Sequence, residues 1–273
     1  MTTTLRPTGP LQHDADGIRR QHFRVCVNSR PVGEVEVSTD ARYGPTVGRI
    51  DGLRVEQPDQ RRGRATVAAL AAEEVLRGWR CERAEVSVPA DATPALALVR
   101  ALGYVERNRT LRKQVPAEPP ALPEGSAGRP MTEAEYAAWA GRTAEEYVAA
   151  LMSHGVAEGR ARELCATDHW AALGDGVRNP DAWLEVLEHD GTPVGTLWVA
   201  LTPDQALVVL VEVAPEHRGR GHGRSLMLLA EQRARAAGRG ALRLNVFADN
   251  TPAVWLYASL GYEPVVHHLF KPL

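Results

Sequence analysis

The stretch Val211–Ser225, VEVAPEHRGRGHGRS, decides the fold of the second half of the chain. Its β-branched start predicts a strand, its three glycines predict a tight loop, and the following Arg224–Ala237 is rich in helix formers. Glycines let successive N–H groups turn into one concavity, and a helix N-terminus adds unsatisfied N–H groups and partial positive charge. The spacing matches neither G-x-x-x-x-G-K-[ST] nor G-x-G-x-x-G. The stretch therefore predicts a seat for a phosphate or pyrophosphate between a strand and a helix.

The elements around this loop predict a mixed α/β domain. The pattern in front of it predicts two helices within Met131–Leu173, the first opened by the capping box Thr132–Glu135. Strands are predicted on both sides of the loop, and one more helix lies near the end of the chain. These elements are strands Thr192–Leu201, Ala206–Val213, Ala241–Phe247 and Val265–Phe270, and helix Asn250–Leu260.

An internal repeat relates the two halves of the chain. Residues 53–104 align without a gap on residues 211–262, at an offset of 158, with 17 identities in 52 positions. The match ends on Leu-Gly-Tyr in both copies. Two repeats are too few for a solenoid, so the repeat predicts a duplicated domain.

The predicted domain boundaries follow from a proline-rich segment. Residues 116–130 contain five prolines and no apolar period, which predicts an interdomain linker. We therefore expect a first domain at 1–115 and a second at 131–273. The fold class is α/β (α+β): two tandem domains, each a mixed central sheet flanked by helices. The first domain is shortened at its N-terminus, because it has no counterpart of the two helices in 131–173.

Composition excludes several classes of protein. The 273 residues are 44% hydrophobic and 24% charged, with a net charge of −2, which is typical of a globular chain without a nucleic-acid partner. No apolar run is long enough for a membrane helix. No leader pattern is recognised, and the three cysteines show no C-x-x-C pair. We therefore expect a cytoplasmic protein without a metal site or a membrane partner.

Two motifs resemble a known family. The pattern R-x-x-G-x-G at Arg218–Gly223 resembles the acyl-CoA signature of the GNAT superfamily of N-acetyltransferases. The segment Leu244–Pro264, LNVFADNTPAVWLYASLGYEP, resembles the second signature of that superfamily, with its Asn and Tyr one helix apart. Residues 131–273 resemble a whole domain of the family, and residues 18–115 resemble a shortened one.

Thirty of the 32 basic residues are arginine, a bias typical of a GC-rich bacterial genome. The resemblance implies an acetyl-CoA-dependent enzyme in which the pantetheine arm inserts between two splayed strands. On this analogy the backbone of Val211 and Val213 contacts the arm, and Asn250 bonds it. Asn250 also fits a helix N-cap, and both roles are compatible. The implied pyrophosphate cradle consists of Arg218, Gly219, Arg220, Gly221, His222, Gly223, Arg224 and Ser225.

Two residues are candidates for the chemistry. Tyr257 matches the tyrosine that protonates the departing thiolate in the family, and the alternative is simple packing. Glu212 alternates with Val211 and Val213 along its strand and is our candidate for the base that takes the amine proton. The alternative is an ion pair with an arginine such as Arg243.

Other candidates concern the acceptor. Asn245 stands where some family members have a basic glutamate, so it is a candidate for orienting an amine. Trp139 and Tyr147 are candidates for the acceptor wall, although aromatic residues at helical spacing are more often core. His267 and His268 are expected on the last strand near the acceptor cleft, with at most one of them pointing inward, and a hydrogen-bonded or solvated role is the favoured interpretation for both.

The first half lacks the equivalent chemistry. At the same offset, the loop positions become Gln60, Gly63 and Ala65, while Tyr257 becomes Val99 and Asn250 becomes Ala92. We therefore expect the first domain to be a non-catalytic partner. The predicted function is acyl transfer from acetyl-CoA to a primary amine of a small molecule or peptide, by direct attack in a ternary complex. The alternative is an inactive tandem pair that binds CoA or serves as a scaffold.

Overall fold

The structure, a computed structural model, describes residues 2–14, 17–153, 156–169, 173–202 and 205–273, with backbone only at 168 and 169. Contacts divide the chain into two compact units. The first unit comprises residues 1–108 and 266–273, and the second comprises residues 109–265. The sequence predicted domains at 1–115 and 131–273; by contacts the cut lies between 108 and 109, and the last eight residues group with the first unit.

The first unit is a mixed sheet with two helices. Its strand order is β1-β3-β4-β5-β6-β13, with β2 paired to β3. The elements are β1 (Thr3–Pro7), β2 (Gln12–His13), β3 (Arg19–Val27), β4 (Arg30–Asp40), β5 (Gly44–Val55), α1 (Arg64–Gly78), β6 (Arg83–Pro89), α2 (Thr93–Ala101) and β13 (Glu263–Pro272), of which residues from Val266 onward belong to this unit.

The described part of the second unit is a mixed sheet with four α-helices. Its strand order is β7-β12-β11-β10-β9-β8. The elements are β7 (Val105–Gln114), which enters this unit at Arg109, β8 (Ser126–Pro130), α3 (Glu133–Ser153), α4 (Glu158–Leu164), β9 (Ala182–His189), β10 (Thr192–Leu201), β11 (Ala206–Val213), α5 (His222–Ala236), β12 (Ala241–Phe247) and α6 (Thr251–Ser259).

Three local predictions differ from the structure. The end of the expected linker, Ser126–Pro130, is strand β8, which pairs antiparallel with β9. Strand β9 was not predicted from the sequence. The helix predicted over Ala157–Leu173 is α-helical over Glu158–Leu164 and continues as a π-helical turn over Cys165–His169. Residues 170–172 of that prediction lie outside the described residues.

The last strand of the chain completes the first unit. The sequence placed Val265–Phe270 in the second domain, but β13 pairs antiparallel with β6 from Val266↔Pro89 to Pro272↔Arg83. Leu269 joins the core of the first unit, together with Val86 and Val88 of β6. Strand pairing is a long-range contact, so the local apolar pattern that identified the strand carried no information about its partner.

Each unit contains one parallel strand pair with a short ladder. Strands β5 and β6 are bonded over Val47–Arg49, and β11 and β12 over Ala206–Val208. At the repeat offset, Gly48↔Ala84 in the first unit corresponds to Ala206↔Leu242 in the second, so the register is the same. Beyond these residues the described ladder ends in both units, which leaves a gap between two neighbouring strands where an extended ligand can pair.

The helices beside this gap are held in place by hydrophobic packing. In the second unit, α5 buries Leu226 and Met227 completely against β10, β11 and β12. Each such side chain stabilises the fold by roughly 1.5–3 kcal/mol. Helix α3 packs Trp139 edge-to-face on Trp198, with ring centroids 6.0 Å apart. No helix in the described residues is long and apolar enough to span a membrane. The mixed α/β class is confirmed, and the chain divides into two units as the repeat predicted.

Candidate functional site

The glycine-rich loop of the second unit joins β11 to α5. Gly219 and Gly221 have φ angles of +76° and +87°, a region that residues with a Cβ rarely adopt. Gly221 is the N-cap of α5, so the first N–H groups of that helix open into the loop. Arg218, Gly219, Arg220 and Gly221 are exposed. The structure thus places the predicted anion cradle at a free helix N-terminus.

Strand β11 presents two different faces beside this loop. A bulge opposite Trp198/Val199 resets the alternation of side chains at its C-terminal end. After the bulge, Val211 and Val213 pack on the α5 core. Leu210 packs on the α3 side, and Glu212 hydrogen-bonds to a side chain of α3. Glu212 therefore faces the opposite side of the strand from Val211 and Val213, as the sequence predicted.

Helix α6 brings two candidate residues to the same end of the sheet. The Asn250 side chain caps α6 by accepting a hydrogen bond from the Ala253 N–H at 3.3 Å. Gly223 approaches this helix closely, because a Cβ there would lie 3.2 Å from Leu256 Cδ2. Arg224 donates to Ser259 Oγ at 2.6 Å and links the two helices. The start of α5 and helix α6 therefore lie side by side.

Tyr257 lies on α6 with 9% of its surface exposed and packs in the core next to Tyr262. Burial raises the pKa of its phenol to about 12. The phenol consequently keeps its proton at neutral pH, as a general acid must. Packing and acid chemistry are both compatible with this position.

A cleft of about 570 Å³ opens on the α3 side of β11, and we call it the acceptor cleft. Its charged floor is an ion pair: Arg142 donates from Nη1 and Nη2 to the two oxygens of Glu212 at 2.6 and 3.0 Å. Arg142 Nη1 also reaches Glu146 at 3.0 Å. Residues in the wall of the acceptor cleft include Met131, Trp139, Arg142, Thr196, Glu212 and Arg218.

The ion pair that the sequence left open for Glu212 is present, but its partner is not the suggested Arg243. Arg142 lies on α3, 70 residues away in the sequence, and the only local signal was its spacing to Glu146 on one helix face. The bond to Glu212 raises the pKa of the Arg142 guanidinium further above its usual value. Both oxygens of Glu212 are thus engaged before any ligand enters.

The other acceptor candidates occupy different environments. Trp139 is buried and lines the acceptor cleft, so it combines the core and wall roles. Tyr147 is half-buried about two turns further along α3. Asn245 is exposed on β12, one residue beyond the last residue paired with β11. Asn245 therefore lies at the point where the two strands separate.

His222, the first residue of α5, is buried next to two other imidazoles. Its ring lies 5.1 Å from that of His189 and 6.2 Å from that of His217. Burial lowers the pKa of His222, and His189, His217 and Arg220 lower it further. The cradle residue His222 is therefore neutral at physiological pH, and positive charge in the loop comes from the arginines.

The first unit repeats the loop with altered residues. Gly63 is the N-cap of α1 with φ +72°, and Arg61, at the position of Gly219, has φ +55°. Asp59 is buried and bonds Arg30 at 2.8 and 2.9 Å, and it also pairs with Arg64. A larger cleft of about 960 Å³ lies beside this loop, and we call it the first-unit cleft. Its wall includes Leu53, Val55, Gly63, Ser87, Ala92 and Val99.

The two histidines of β13 belong to the first unit, whereas the sequence placed them in the second domain. His267 is bonded through Nδ1 to Glu106 Oε1 at 2.8 Å, whereas His268 Nδ1 lies 2.9 Å from Ser87 Oγ. The error has the same cause as the misplaced strand, because the histidines follow β13 to its partner β6. Ser87 belongs to none of the sequence motifs described above.

Comparisons with known proteins agree with these features. The model of the acetyltransferase (GNAT) family matches residues 4–104 and again residues 139–262. The mycothiol acetyltransferase of Thermomonospora curvata is 30% identical over 229 residues, which cover 80% of this chain and 72% of the relative. That of Streptomyces griseus is 29% identical over 264 residues and covers 90% and 77%.

A solved structure shows the same fold. The GCN5-related N-acetyltransferase from Sphaerobacter thermophilus has a TM-score of 0.56 and 20% identity, covering 92% of this chain and 80% of its own. Two matched segments, with a splayed strand pair and a helix-capping glycine loop in each, identify both units as members of one family. The chain is a tandem N-acetyltransferase that belongs to the acetyltransferase (GNAT) family.

Proposed function

We propose that the second unit transfers an acetyl group from acetyl-CoA to a primary amine of a small molecule or peptide, by direct attack in a ternary complex. One observation supports this above all. A single unit brings together an open glycine-capped helix N-terminus, a separated strand pair and the protonated phenol of Tyr257. A site that holds both reactants needs no covalent enzyme intermediate.

Acetyl-CoA binding follows from the loop and the strand. The pyrophosphate takes hydrogen bonds from the N–H groups at the start of α5, and Arg218 and Arg220 add charge. The pantetheine arm runs along Val211 and Val213, beyond the point where β11 leaves β12. The Asn250 oxygen is used by the helix cap, so its NH₂ group is the part that bonds the arm.

Tyr257 supplies the proton for the leaving thiolate. Burial makes the Tyr257 phenol, with a pKa of about 12, a weaker acid than a free thiol of pKa ~8.5, so we propose that its proton moves in concert with cleavage of the C–S bond. The surrounding core excludes water, and exclusion of water strengthens such an interaction. General acids of this kind contribute ~10²–10⁴-fold in rate.

The acceptor amine enters the acceptor cleft and competes with Arg142 for Glu212. A protonated amine is a cation like the guanidinium, so the carboxylate that holds Arg142 can also hold the amine. We assign Glu212 as the group that takes the amine proton, directly or through water. Thr196, whose hydroxyl lies 3.4 Å from Glu212 Oε2, orients the carboxylate.

The names of the relatives suggest which amines to test first. The relatives are mycothiol acetyltransferases, and a streptothricin acetyltransferase from Streptomyces lavendulae is 48% identical over 52 residues. The panel therefore starts with the desacetyl form of mycothiol and with streptothricin, followed by aminoglycosides and short peptides with a free N-terminus.

The experiment measures thiol release from acetyl-CoA together with the mass of the acetylated amine. We expect at least one amine to yield a monoacetylated product in step with free CoA. Thiol release that never depends on any amine of the panel, without acetylated product, would contradict the proposal.

A further inference from the structure

Ser87 and His268 form a side-chain pair that the acetyl-transfer proposal does not use. They are directly opposed residues on the antiparallel strands β6 and β13, and Ser87 Oγ lies 2.9 Å from His268 Nδ1. Directly opposed residues project to the same face of a sheet. The hydroxyl and the imidazole are therefore held together by the backbone register and not by the chance position of a loop.

One member of this pair, Ser87, lies at the first-unit cleft. Strands β5 and β6 are bonded up to Arg49↔Glu85, and Ser87 is two residues beyond that point on β6. Ser87 lines the cleft of about 960 Å³ together with apolar residues such as Val55 and Val88. The hydroxyl thus borders the gap between the separated strands, where a thioester carried on an extended arm would end.

From this geometry we propose that Ser87 and His268 are a nucleophile–base pair that takes the acyl group of a thioester bound in the first-unit cleft and releases it to water. The first unit would then be an acyl-thioester hydrolase centre. The inference goes beyond the amine acetylation proposed for the second unit and does not depend on it.

The reaction balances with water as the only co-reactant. Ser87 Oγ attacks the thioester carbonyl, and its proton passes to His268 Nδ1. The C–S bond breaks, the electron pair leaves with sulfur, and the imidazolium returns the proton to give a thiol. Water then attacks the acyl-serine ester while His268 takes one proton, which it returns to Ser87 Oγ, and a carboxylic acid leaves.

This pair removes the need for the missing tyrosine. Val99 occupies the position that corresponds to Tyr257, so the repeat supplies no phenol to protonate a thiolate. In a nucleophile–base pair, one imidazole first accepts the proton and then donates it to the leaving group. In the first unit, Ser87 and His268 can therefore carry out acyl transfer in place of the Tyr257 and Glu212 of the second unit.

The surroundings of His268 keep the imidazole neutral. Burial, followed by the charges of Arg107 and Arg49 and of neighbouring His267, lowers its pKa to about 4 against the opposing effect of Glu106. Arg107 is itself bonded to Glu85 at 3.0 Å. A neutral imidazole accepts the Ser87 proton when its own proton is on Nε2, and its conjugate acid readily protonates a thiolate.

The test uses the full-length chain with Gly221→Asp, which is expected to empty the cofactor site of the second unit. Acetyl-CoA and hexanoyl-CoA are added without any amine, and thiol release is followed. Ser87→Ala and His268→Asn are compared with Ser29→Ala, a substitution at an exposed turn. Melting temperatures verify that each variant is folded, and Ser87→Ala decides the outcome if His268→Asn is not.

We expect thiol release from at least one thioester to fall by ~10²–10⁴-fold in Ser87→Ala and in His268→Asn, with Ser29→Ala unchanged. We also expect Ser87→Cys to hold the acyl group as a thioester on the peptide that contains residue 87. Absence of amine-independent release from both thioesters, or release that survives Ser87→Ala, would overturn the proposal. The acetylated-amine readout is separate, so failure here leaves the function of the second unit untouched.

Discussion

In both units a parallel strand pair is bonded over three residue pairs in the same register and then separates, beside a helix whose N-cap glycine has a positive φ angle. The side chains at the separation differ. The second unit has Tyr257 and the Glu212–Arg142 pair, whereas the first has Val99 and the Ser87–His268 pair. The backbone thus preserves a seat for a thioester, and the chemistry depends on a few side chains around it.

The largest expected effect distinguishes the glycine loop of the second unit from the corresponding loop of the first. Gly221→Asp places a carboxylate beside the pyrophosphate. Repulsion between the two negative charges costs several kcal/mol, which corresponds to a loss of roughly 10³-fold in affinity for acetyl-CoA. A Cβ at Gly221 or at Gly63 meets nothing within 4 Å, so the cost of either aspartate is the positive φ angle, about 1–2 kcal/mol, and melting temperatures verify that both variants are folded. We expect amine acetylation to be lost in Gly221→Asp and kept in Gly63→Asp. The reverse pattern would assign the amine chemistry to the first unit.

The next effect concerns the proton donor. Tyr257→Phe keeps the ring in the core but removes the hydroxyl, so we expect kcat and kcat/KM to fall together by ~10²–10⁴-fold with little change in the KM for acetyl-CoA. Steady-state kinetics at saturating amine measures both constants. Activity within twofold of wild type would show that Tyr257 only packs.

A smaller effect tests the proton acceptor. Glu212→Gln should lower kcat/KM by ~10²-fold at neutral pH, and the loss should shrink as pH rises and free amine becomes available. The pair with Arg142 is 22% and 46% exposed, so the free energy of unfolding should change by less than about 1 kcal/mol. The pH dependence of kcat/KM measures the loss of rate, and melting temperatures report the change in stability.

Glu146→Gln is the matched control for that experiment. It removes another carboxylate that accepts a hydrogen bond from Arg142, but one that belongs to α3 and not to β11. Its pH profile should keep the wild-type shape. If Glu212→Gln also keeps that shape, Glu212 is an ion-pair partner and not the base.

The smallest effect lies at the start of α3, a helix that the first unit lacks. The Arg129 side chain, followed by the Thr132 N–H, lowers the pKa of Glu135 to about 2. An acid with a lowered folded-state pKa stabilises the fold above its unfolded value of ~4.3, and this contribution disappears as pH falls toward 2.

Glu135→Gln should therefore lower the free energy of unfolding by under about 1 kcal/mol at pH 7, since the carboxylate is 34% exposed and solvent screens the pair. The difference from wild type should narrow below pH 5. Denaturant titrations at pH 7 and pH 4 measure it. A difference that grows on acidification would mean that another group stabilises the helix start.

The sequence predicted what depends on local pattern and on the repeat. The glycine loop, the strand that leads into it, the Asn250 cap and the Thr132–Glu135 box are encoded in short segments, and the structure contains all of them. Comparison of the two copies also located the residues that differ between them. These features cover the cofactor side of the proposed site.

Long-range pairing was beyond the sequence. Arg142 reaches Glu212 across 70 residues, and Ser87 reaches His268 across 181. The second contact exists only because β13 pairs with β6, so it is invisible when each half of the chain is read by itself. The ion pair in the acceptor cleft of the second unit and the Ser87–His268 pair of the first unit could therefore be identified only from the structure.

One measurement tests the comparison most directly: acetylated amine and amine-independent thiol release, both determined for Tyr257→Phe and Ser87→Ala. We predict that Tyr257→Phe loses amine acetylation by ~10²–10⁴-fold and keeps the amine-independent release, while Ser87→Ala shows the opposite pattern. If Ser87→Ala abolishes amine acetylation and Tyr257→Phe leaves it intact, the assignment of amine acetylation to the second unit is contradicted.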